Sequence, residues 1–434
     1  MASIITSKMR VYAANQFLED FTTEKFYLFV GRTLPWNQGN FSYVGFNDNL
    51  SPPPIDCEYE KNAAFRDMLS AKLITSTDVS LVMPRYDWEN GTIYTEYQDD
   101  IDLFDSPFFV VTDDLNVYKC LNNNGGIAST VKPMGTTSTA VTLADGYQWK
   151  YMLTINDLNF VTTDLLPVQT LLTNDGSPQW IVQQTAVPGT IDRIDVVSGG
   201  TGYLTIPPNV QIVGDGANAQ GTAIISGGQV VSIVVNNQGI GYTWADVVIS
   251  GGNVGASGAT ANAVVSPLLG HGADPENELG GVSVLVYSEL TSDENGTFTI
   301  SNDYRRVGLV KNPLLNDGFT QATALDYDQA TRLTFGSTSG TIFVPDEVVT
   351  DSTSHATGVV LDYNATGLVL RLVECEGNFL SGETVVGADA TGVIASIVPP
   401  DFDPFSGEIV YLENRCPVVR AVGQSEGFKI IIQF

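Results

Sequence analysis

Ile194-Asp195-Val196-Val197-Ser198-Gly199-Gly200-Thr201-Gly202-Tyr203 returns 39 residues later as Ile233-Val234-Val235-Asn236-Asn237-Gln238-Gly239-Ile240-Gly241-Tyr242, and two copies of one pattern make a module. In each copy alternating aliphatics specify a strand, and Gly-x-Gly-Tyr specifies a tight turn at which side chains would resist positive φ. A second aliphatic strand follows at 210–213 and 247–249. A phosphate-cradling loop is the competing interpretation, but the turn lacks the GxGxxG and GxxxxGK[ST] patterns and joins strands rather than opening a helix. The segment 191–266 therefore reads as an antiparallel β module.

Toward the C-terminus a fainter duplication occupies 331–400. Pro345-Asp346-Glu347-Val348-Val349 with Ala356-Thr357-Gly358-Val359-Val360 recurs as Ser381-Gly382-Glu383-Thr384-Val385 with Ala390-Thr391-Gly392-Val393-Ile394. This predicts a small barrel or a hairpin pair, displayed on a scaffold by flanks of Gly, Ser and Pro. Two strand-like runs, 407–413 and 428–434, close the chain, and the last is apolar enough to be pinned in a sheet.

Toward the N-terminus, helical spacing of Val11, Ala14, Phe17 and Leu18 predicts a helix from Ile4 to about Asp20. Lys25-Phe26-Tyr27-Leu28-Phe29-Val30-Gly31-Arg32 then reads as a strand ending at a glycine. Past the break Ser51-Pro52-Pro53-Pro54 a second helix is expected over 58–73, with Ala63, Ala64, Met68, Leu69 and Ala71 on its buried side. Between 80 and 166 short β-type runs at 79–83, 91–97, 108–112, 117–121 and 149–155 alternate with turn clusters, a rhythm that predicts a β-sandwich.

Composition excludes several function classes. With 434 residues the chain exceeds one compact core. Its 20 basic and 49 acidic residues give a formal charge of −29, which repels nucleic-acid phosphates and anionic lipid surfaces. No nucleic-acid or membrane partner is expected. The acidic excess is either a solvated face or a cation site, and the series Asp99, Asp100, Asp102, Asp105, Asp113 and Asp114 is assigned to loops. Cys57, Cys120, Cys375 and Cys416 are far apart without CxxC spacing and read as free thiols. The N-terminal residues lack a signal-type apolar core and no apolar run approaches a membrane span, so a cytoplasmic origin is expected. In that compartment the Asn-x-Ser/Thr matches at Asn40, Asn90, Asn295 and Asn364 carry no glycosylation meaning.

Catalytic signals are sparse. His271 and His355 are the only histidines, and neither G-x-S-x-G nor HExxH occurs. The richest stretch is Gly270-His271-Gly272-Ala273-Asp274-Pro275-Glu276-Asn277-Glu278-Leu279-Gly280, where His271, Asp274 and Glu276 are the candidate metal ligands. In the competing account His271 anchors a glycine-rich corner and Asp274-Pro275 begins the next turn. No cofactor and no catalytic residue is assigned.

Several ordered stretches resemble the baseplate-wedge family of T-even-type contractile-tailed phages called gene product eight, in a cyanophage-like form. They are Phe26-Tyr27-Leu28-Phe29-Val30-Gly31-Arg32-Thr33-Leu34-Pro35-Trp36, then Val117-Tyr118-Lys119-Cys120-Leu121-Asn122-Asn123-Asn124-Gly125-Gly126 with Ser129-Thr130-Val131-Lys132-Pro133, and Asp145-Gly146-Tyr147-Gln148-Trp149-Lys150-Tyr151-Met152. Gly270-His271-Gly272, Asn302-Asp303-Tyr304-Arg305-Arg306-Val307-Gly308-Leu309-Val310-Lys311-Asn312-Pro313 and Glu413-Asn414-Arg415 continue the series.

The resemblance implies an α+β, β-rich multi-domain fold whose central α/β sandwich part carries inserted antiparallel β-sandwich or small-barrel modules. The expected map is an N-terminal α/β part over 1–80, a β-sandwich over 81–190, the duplicated module over 191–266, a return to the scaffold over 267–330, the second duplicated module over 331–400, and C-terminal strands completing the central domain over 401–434. It further implies a homodimer in the virion tail baseplate, assembled in the host cytoplasm with wedge proteins resembling gene products six, seven and ten. The 191–265 duplication departs from the family pattern. A receptor- or glycan-binding tail-fibre protein and a polysaccharide-degrading tail enzyme are the alternatives; the second would require an acidic pair that sequence spacing does not locate.

Overall fold

The computed structural model describes residues 6–39, 42–300 and 302–434. Ile4 and Ile5, at the expected start of the first helix, and the Asn40 match lie outside the described residues. Packing divides the chain into two compact units: residues up to Gln16 with Ser80–Leu285 and Ile431–Phe434, and Phe17–Val79 with Val286–Ile430.

In chain order the elements begin with α1 (Ser7–Thr23), β1 (Phe26–Gly31), α2 (Glu58–Asp67) and β2 (Met68–Ile74). There follow β3 (Val79–Pro84), β4 (Phe109–Val111), β5 (Asn116–Asn122), β6 (Val141–Thr142), β7 (Gln148–Thr154), β8 (Leu165–Pro167) and α3 (Pro178–Gln184). The duplicated segment supplies β9 (Ile191–Thr201), β10 (Asn209–Gly214), β11 (Gln220–Ser226), β12 (Gln229–Asn237), β13 (Ala245–Ser250) and β14 (Ser257–Val265). After α4 (Pro275–Leu279) come β15 (Ser283–Thr291), β16 (Tyr304–Lys311) and β17 (Asp326–Asp328). The last strands are β18 (Thr331–Gly340), β19 (Val348–Asp351), β20 (Thr357–Asn364), β21 (Val369–Glu376), β22 (Thr384–Val386), β23 (Ala390–Val398), β24 (Glu408–Val418) and β25 (Ser425–Gln433). The protein is a β-rich, multi-domain α+β chain.

In the unit containing residues 17–79, an antiparallel five-stranded sheet runs β17-β2-β1-β16-β24. Every residue of β1 is buried, as its unbroken apolar run requires of a strand covered on both faces. Phe29 pairs with Gly308, and its ring lies 2.4 Å from where a Cβ would stand, so only glycine fits opposite it. The expected 58–73 helix is corrected: α2 ends at Asp67, and Met68–Ile74 is the strand pairing with β1. Ala63, Ala64, Met68, Leu69 and Ala71 are all buried. Their spacing suits a helix face, but Met68 takes extended backbone (φ −60, ψ 127), and the free edge of β1 satisfies the following amides.

The 331–400 segment of the same unit is a closed six-stranded barrel, β18-β21-β20-β19-β22-β23, around Leu333, Phe335, Phe343, Val349, Leu370, Leu372 and their neighbours. Its halves are β18-β19-β20 and β21-β22-β23. Leu333 pairs with Leu370 and Thr350 with Val386, so corresponding residues of the two halves face each other across a pseudo-dyad.

In the other unit, β4-β5-β7-β6 form a four-stranded sheet and β3 pairs with β8. Tyr94, Tyr118, Tyr147, Trp149 and Tyr151 fill the core against this sheet. The strand expected at 91–97 is absent. Glu89 and Tyr94 amides instead donate to the Tyr94 and Tyr147 hydroxyls, and the Tyr97 amide donates to the Cys120 carbonyl, so this backbone is satisfied without a ladder. Residues 267–285 belong to the same unit as this sheet, and Val286–Ile430 to the other. Residues 267–285 stay with the sheet because α4 is tied to β5 through Glu278 and Lys119.

Residues 191–265 form a six-stranded sheet of order β10-β13-β14-β9-β12-β11. Gly200, Gly202, Gly239 and Gly241 sit at φ 63, 85, 66 and 79, and both turn tyrosines, Tyr203 and Tyr242, are core residues. Ile194 pairs with its own counterpart Ile233, which puts a pseudo-dyad here as well. Number the strands of each half first, second and third, and mark the second half with a prime. Both modules then run second, second′, third′, first, first′, third. In the barrel β20 pairs with β19 and closes the ring, whereas among the described residues no ladder joins β11 to β10. All four halves open their third strand on the same triplet: Ala219-Gln220-Gly221, Ala256-Ser257-Gly258, Ala356-Thr357-Gly358 and Ala390-Thr391-Gly392. The two modules are one topology used twice.

Candidate functional site

The only cluster that joins the sequence-flagged histidine to other ionisable groups lies beneath the glycine corner. Positive φ at Gly270 and Gly272 (90 and 86) bends the chain there and turns His271 inward. Its Nε2 lies 2.5 Å from Asp192 Oδ2, at the start of β9, and its ring stands edge-on to Tyr97 at 4.8 Å. Its Nδ1 is 3.7 Å from Glu278 Oε2 on α4. Glu278 in turn accepts from Lys119 Nζ of β5 at 2.9 Å and from the Gly272 amide at 2.7 Å. Lys150, on β7, is buried beside them, and its Nζ donates to the Ser138 carbonyl.

Electrostatics fixes which groups are charged. Burial would raise the Glu278 carboxyl, but Lys119 and His271 outweigh it and hold it down to about 2. Burial lowers Lys150 and raises the Tyr97 phenol, the latter further raised by Asp192. Next to the cluster, Arg193 donates to the Tyr97 and Leu121 carbonyls at 2.7 and 2.9 Å, tying β9 to the end of β5.

The candidate ligands are thus separated. Asp274 caps α4, accepting from the Asn277 amide and, at 3.0 Å, from Thr170 Oγ1. Glu276 accepts from the Thr170 amide at 2.8 Å, and burial raises its carboxyl. Neither joins His271, and among the described residues no three His, Cys, Asp or Glu side chains are placed to hold a metal ion. Of the loop acids, Asp113 pairs with Lys132 at 2.7 Å and Asp102 accepts from Ser7 Oγ. His355 sits at φ 59 on the barrel loop whose amides Asp351 accepts. All four cysteines are free thiols. A His–Asp pair positions a nucleophile only when one is within reach. Here its neighbours are the side chains of Lys119, Glu278 and Tyr97, and the polar contacts among these groups join β5, β9 and α4.

A second buried cluster, unmarked in the sequence, lies in the five-stranded sheet. Arg306 Nη1 reaches Asp67 Oδ2 at 2.7 Å, Nη2 reaches Glu60 Oε1 at 2.8 Å, and Nε reaches Asn414 Oδ1 at 2.9 Å. Arg32 lies 3.4 Å from Asp67, donates to the Pro35 and Gln38 carbonyls, and stacks 4.8 Å above Trp36, whose Nε1 donates to the Arg415 carbonyl at 3.0 Å.

The outer surface of the 191–266 module carries few charges and mixes exposed aliphatic side chains with Gln, Asn, Ser and Thr. Val231, Val234, Ile224, Val248 and Trp244 are exposed there, and its only charged residues are Asp192, Arg193, Asp195, Asp215 and Asp246. No helix among the described residues is long and apolar enough to cross a membrane. No protein-family model matches the chain, and no curated protein matches it.

Proposed function

We propose that this chain is a structural subunit of a phage tail baseplate wedge that works by binding neighbouring wedge chains and carries out no catalysis. One observation carries the reading. Three resembling stretches far apart in sequence, 26–36, 302–313 and 413–415, become adjacent strands β1, β16 and β24 and share one buried network. Convergence of stretches so far apart in sequence on one buried core is the pattern of a shared scaffold, and the resembling stretches 117–126 and 145–152 likewise supply β5 and β7 of the other unit. The weakly charged 191–266 module, with Val231, Val234, Val248 and Trp244 exposed, supplies the surface we assign to partner contact. Ionised clusters closed off from solvent act as structural locks.

The test is the molar mass of the purified chain by light scattering, together with co-expression of the other wedge chains. A dimer that co-purifies with them is expected. A stable trimer with glycan affinity would overturn the assignment in favour of a tail fibre.

A further inference from the structure

The barrel meets the five-stranded sheet through ion pairs and backbone bonds, among them Arg371 of β21 with Asp328 of β17 at 3.0 Å. Glu376, at the end of β21, pairs with Arg66 of α2 at 2.8 Å, and the Gln329 amide before β18 donates to Leu69 of β2 at 2.9 Å. Beside this contact a cleft of about 660 Å³, lined by Phe65, Met68, Leu372, Phe379, Phe402 and Phe405, keeps the barrel from forming a continuous core with α2.

Glu374 lies at the centre of the contact. It is 2% exposed, takes φ 49, and has no hydrogen-bond partner on either carboxyl oxygen. From α2 it faces Asp67, whose Oδ1 is also unpartnered. Arg32 follows β1, and Arg306 lies on β16. The wider ring is Glu60 and Arg66 of α2 and the Tyr43 hydroxyl, which donates to Glu60. Both inner guanidinium groups are already engaged, Arg32 by Asp67 and two carbonyls, Arg306 by Asp67, Glu60, Tyr43 and Asn414. Arg32 and Arg306 balance Asp67 and Glu60, so an ionised Glu374 would add a buried charge with no counter-ion.

We propose that Glu374 is a proton-operated latch, holding the barrel against the sheet while its buried carboxyl is neutral and releasing it when the proton leaves. Burial, reinforced by Asp67, pushes Glu374 up to about 8 from an ordinary 4.5. The docked value is the higher one, so protonation favours docking. The docking constant is at its maximum below 4.5, falls as pH rises, and levels off above about 8. Across that window linkage gives a loss of about tenfold per pH unit.

Hydrogen exchange of the intact chain, corrected for intrinsic rates, reads this directly in peptides covering 28–34 and 370–378. Protection should fall about 50-fold between pH 6 and 8 in the wild type, and should stay flat in Glu374→Gln, which keeps the shape of the neutral carboxyl. Glu376→Gln, removing the rim pair, should lower protection by one constant factor without changing the slope. Wild-type protection that does not vary with pH, or a Glu374→Gln slope equal to wild type, overturns the latch.

Discussion

Replacing Glu278 by Gln should cost the unit that contains it about 3 kcal/mol at neutral pH and almost nothing in acid. The carboxylate sits 2.9 Å from Lys119 Nζ, and the two side chains are 5% and 1% exposed. Its pKa is about 2 in the fold against an ordinary 4.5, a difference that corresponds to about 3 kcal/mol. Since the folded value is depressed, this stabilisation is present above pH 4.5 and is lost as pH falls toward 2. Truncating one partner of a buried pair typically costs about 3–5 kcal/mol because the other charge is stranded, and here that charge is the Lys119 ammonium. The assay is urea unfolding of wild type and variant between pH 2.5 and pH 7, about half a pH unit apart, following tryptophan fluorescence. The difference between the two proteins isolates Glu278 from the other carboxylates. A second variant, Lys119→Met with Glu278→Leu, should recover most of the loss, since an apolar pair of similar volume replaces a buried ion pair at little cost. The reasoning is refuted if the Gln variant loses under about 1 kcal/mol at pH 7, or if the difference stays constant down the acid limb.

Three shorter predictions follow from packing and exposure. Gly308→Ala should destabilise the five-stranded sheet by about 3 kcal/mol or more, because the new Cβ would lie 2.4 Å from the Phe29 ring and 2.7 Å from the Tyr411 carbonyl; thermal unfolding measures it. Tyr203→Ala and Tyr242→Ala remove corresponding core rings of the two halves and should cost similar amounts, about 3–5 kcal/mol each, read by chemical denaturation. Val231→Lys with Val234→Lys should leave unfolding within about 0.5 kcal/mol of wild type yet reduce co-purification with the proposed wedge partners, since both side chains are exposed on the module's surface.

Legibility from sequence depended on whether the deciding interaction was local. Gly-x-Gly-Tyr declared its turn because positive φ at four glycines is a property of the residues themselves. The run 26–31 declared a buried strand for the same reason. Met68 to Ile74 misled because Ala63, Ala64, Met68, Leu69 and Ala71 fit a helix face, and the strand exists only because β1 and β17 lie on either side. The 91–97 segment misled in the opposite way: its β-forming side chains do pack, but its amides go to scattered acceptors, the Ser129, Pro107 and Cys120 carbonyls and the Tyr147 hydroxyl, so no continuous ladder forms. At the site, His271 was conspicuous as a rare residue, whereas Asp192 lies 79 positions away and Lys119 is 159 from Glu278. No local pattern encodes such pairings. Asp274 and Glu276 looked like ligands because they are near His271 in the chain, yet capping and Thr170 draw them elsewhere. Two of the four Ala-x-Gly triplets stand out in the 331–400 duplication, whereas their kinship with Ala219-Gln220-Gly221 and Ala256-Ser257-Gly258 is hidden by unequal loops and emerges only when strand order brings all four into register.

The shared topology also pairs the first strand of each module with its last: Ile191 lies opposite Val265, and Arg332 opposite Val398. Paired residues of an antiparallel ladder are only about 5 Å apart, so each module leaves its host and rejoins it at almost the same point. A host loop can accept or lose such a cassette without its own ends being drawn apart. Grafting such a module into another chain then needs only a splice across a gap a residue or two wide, together with partners for the residues that tie it to its surroundings, Asp192 and Arg193 in one module and Glu376 in the other.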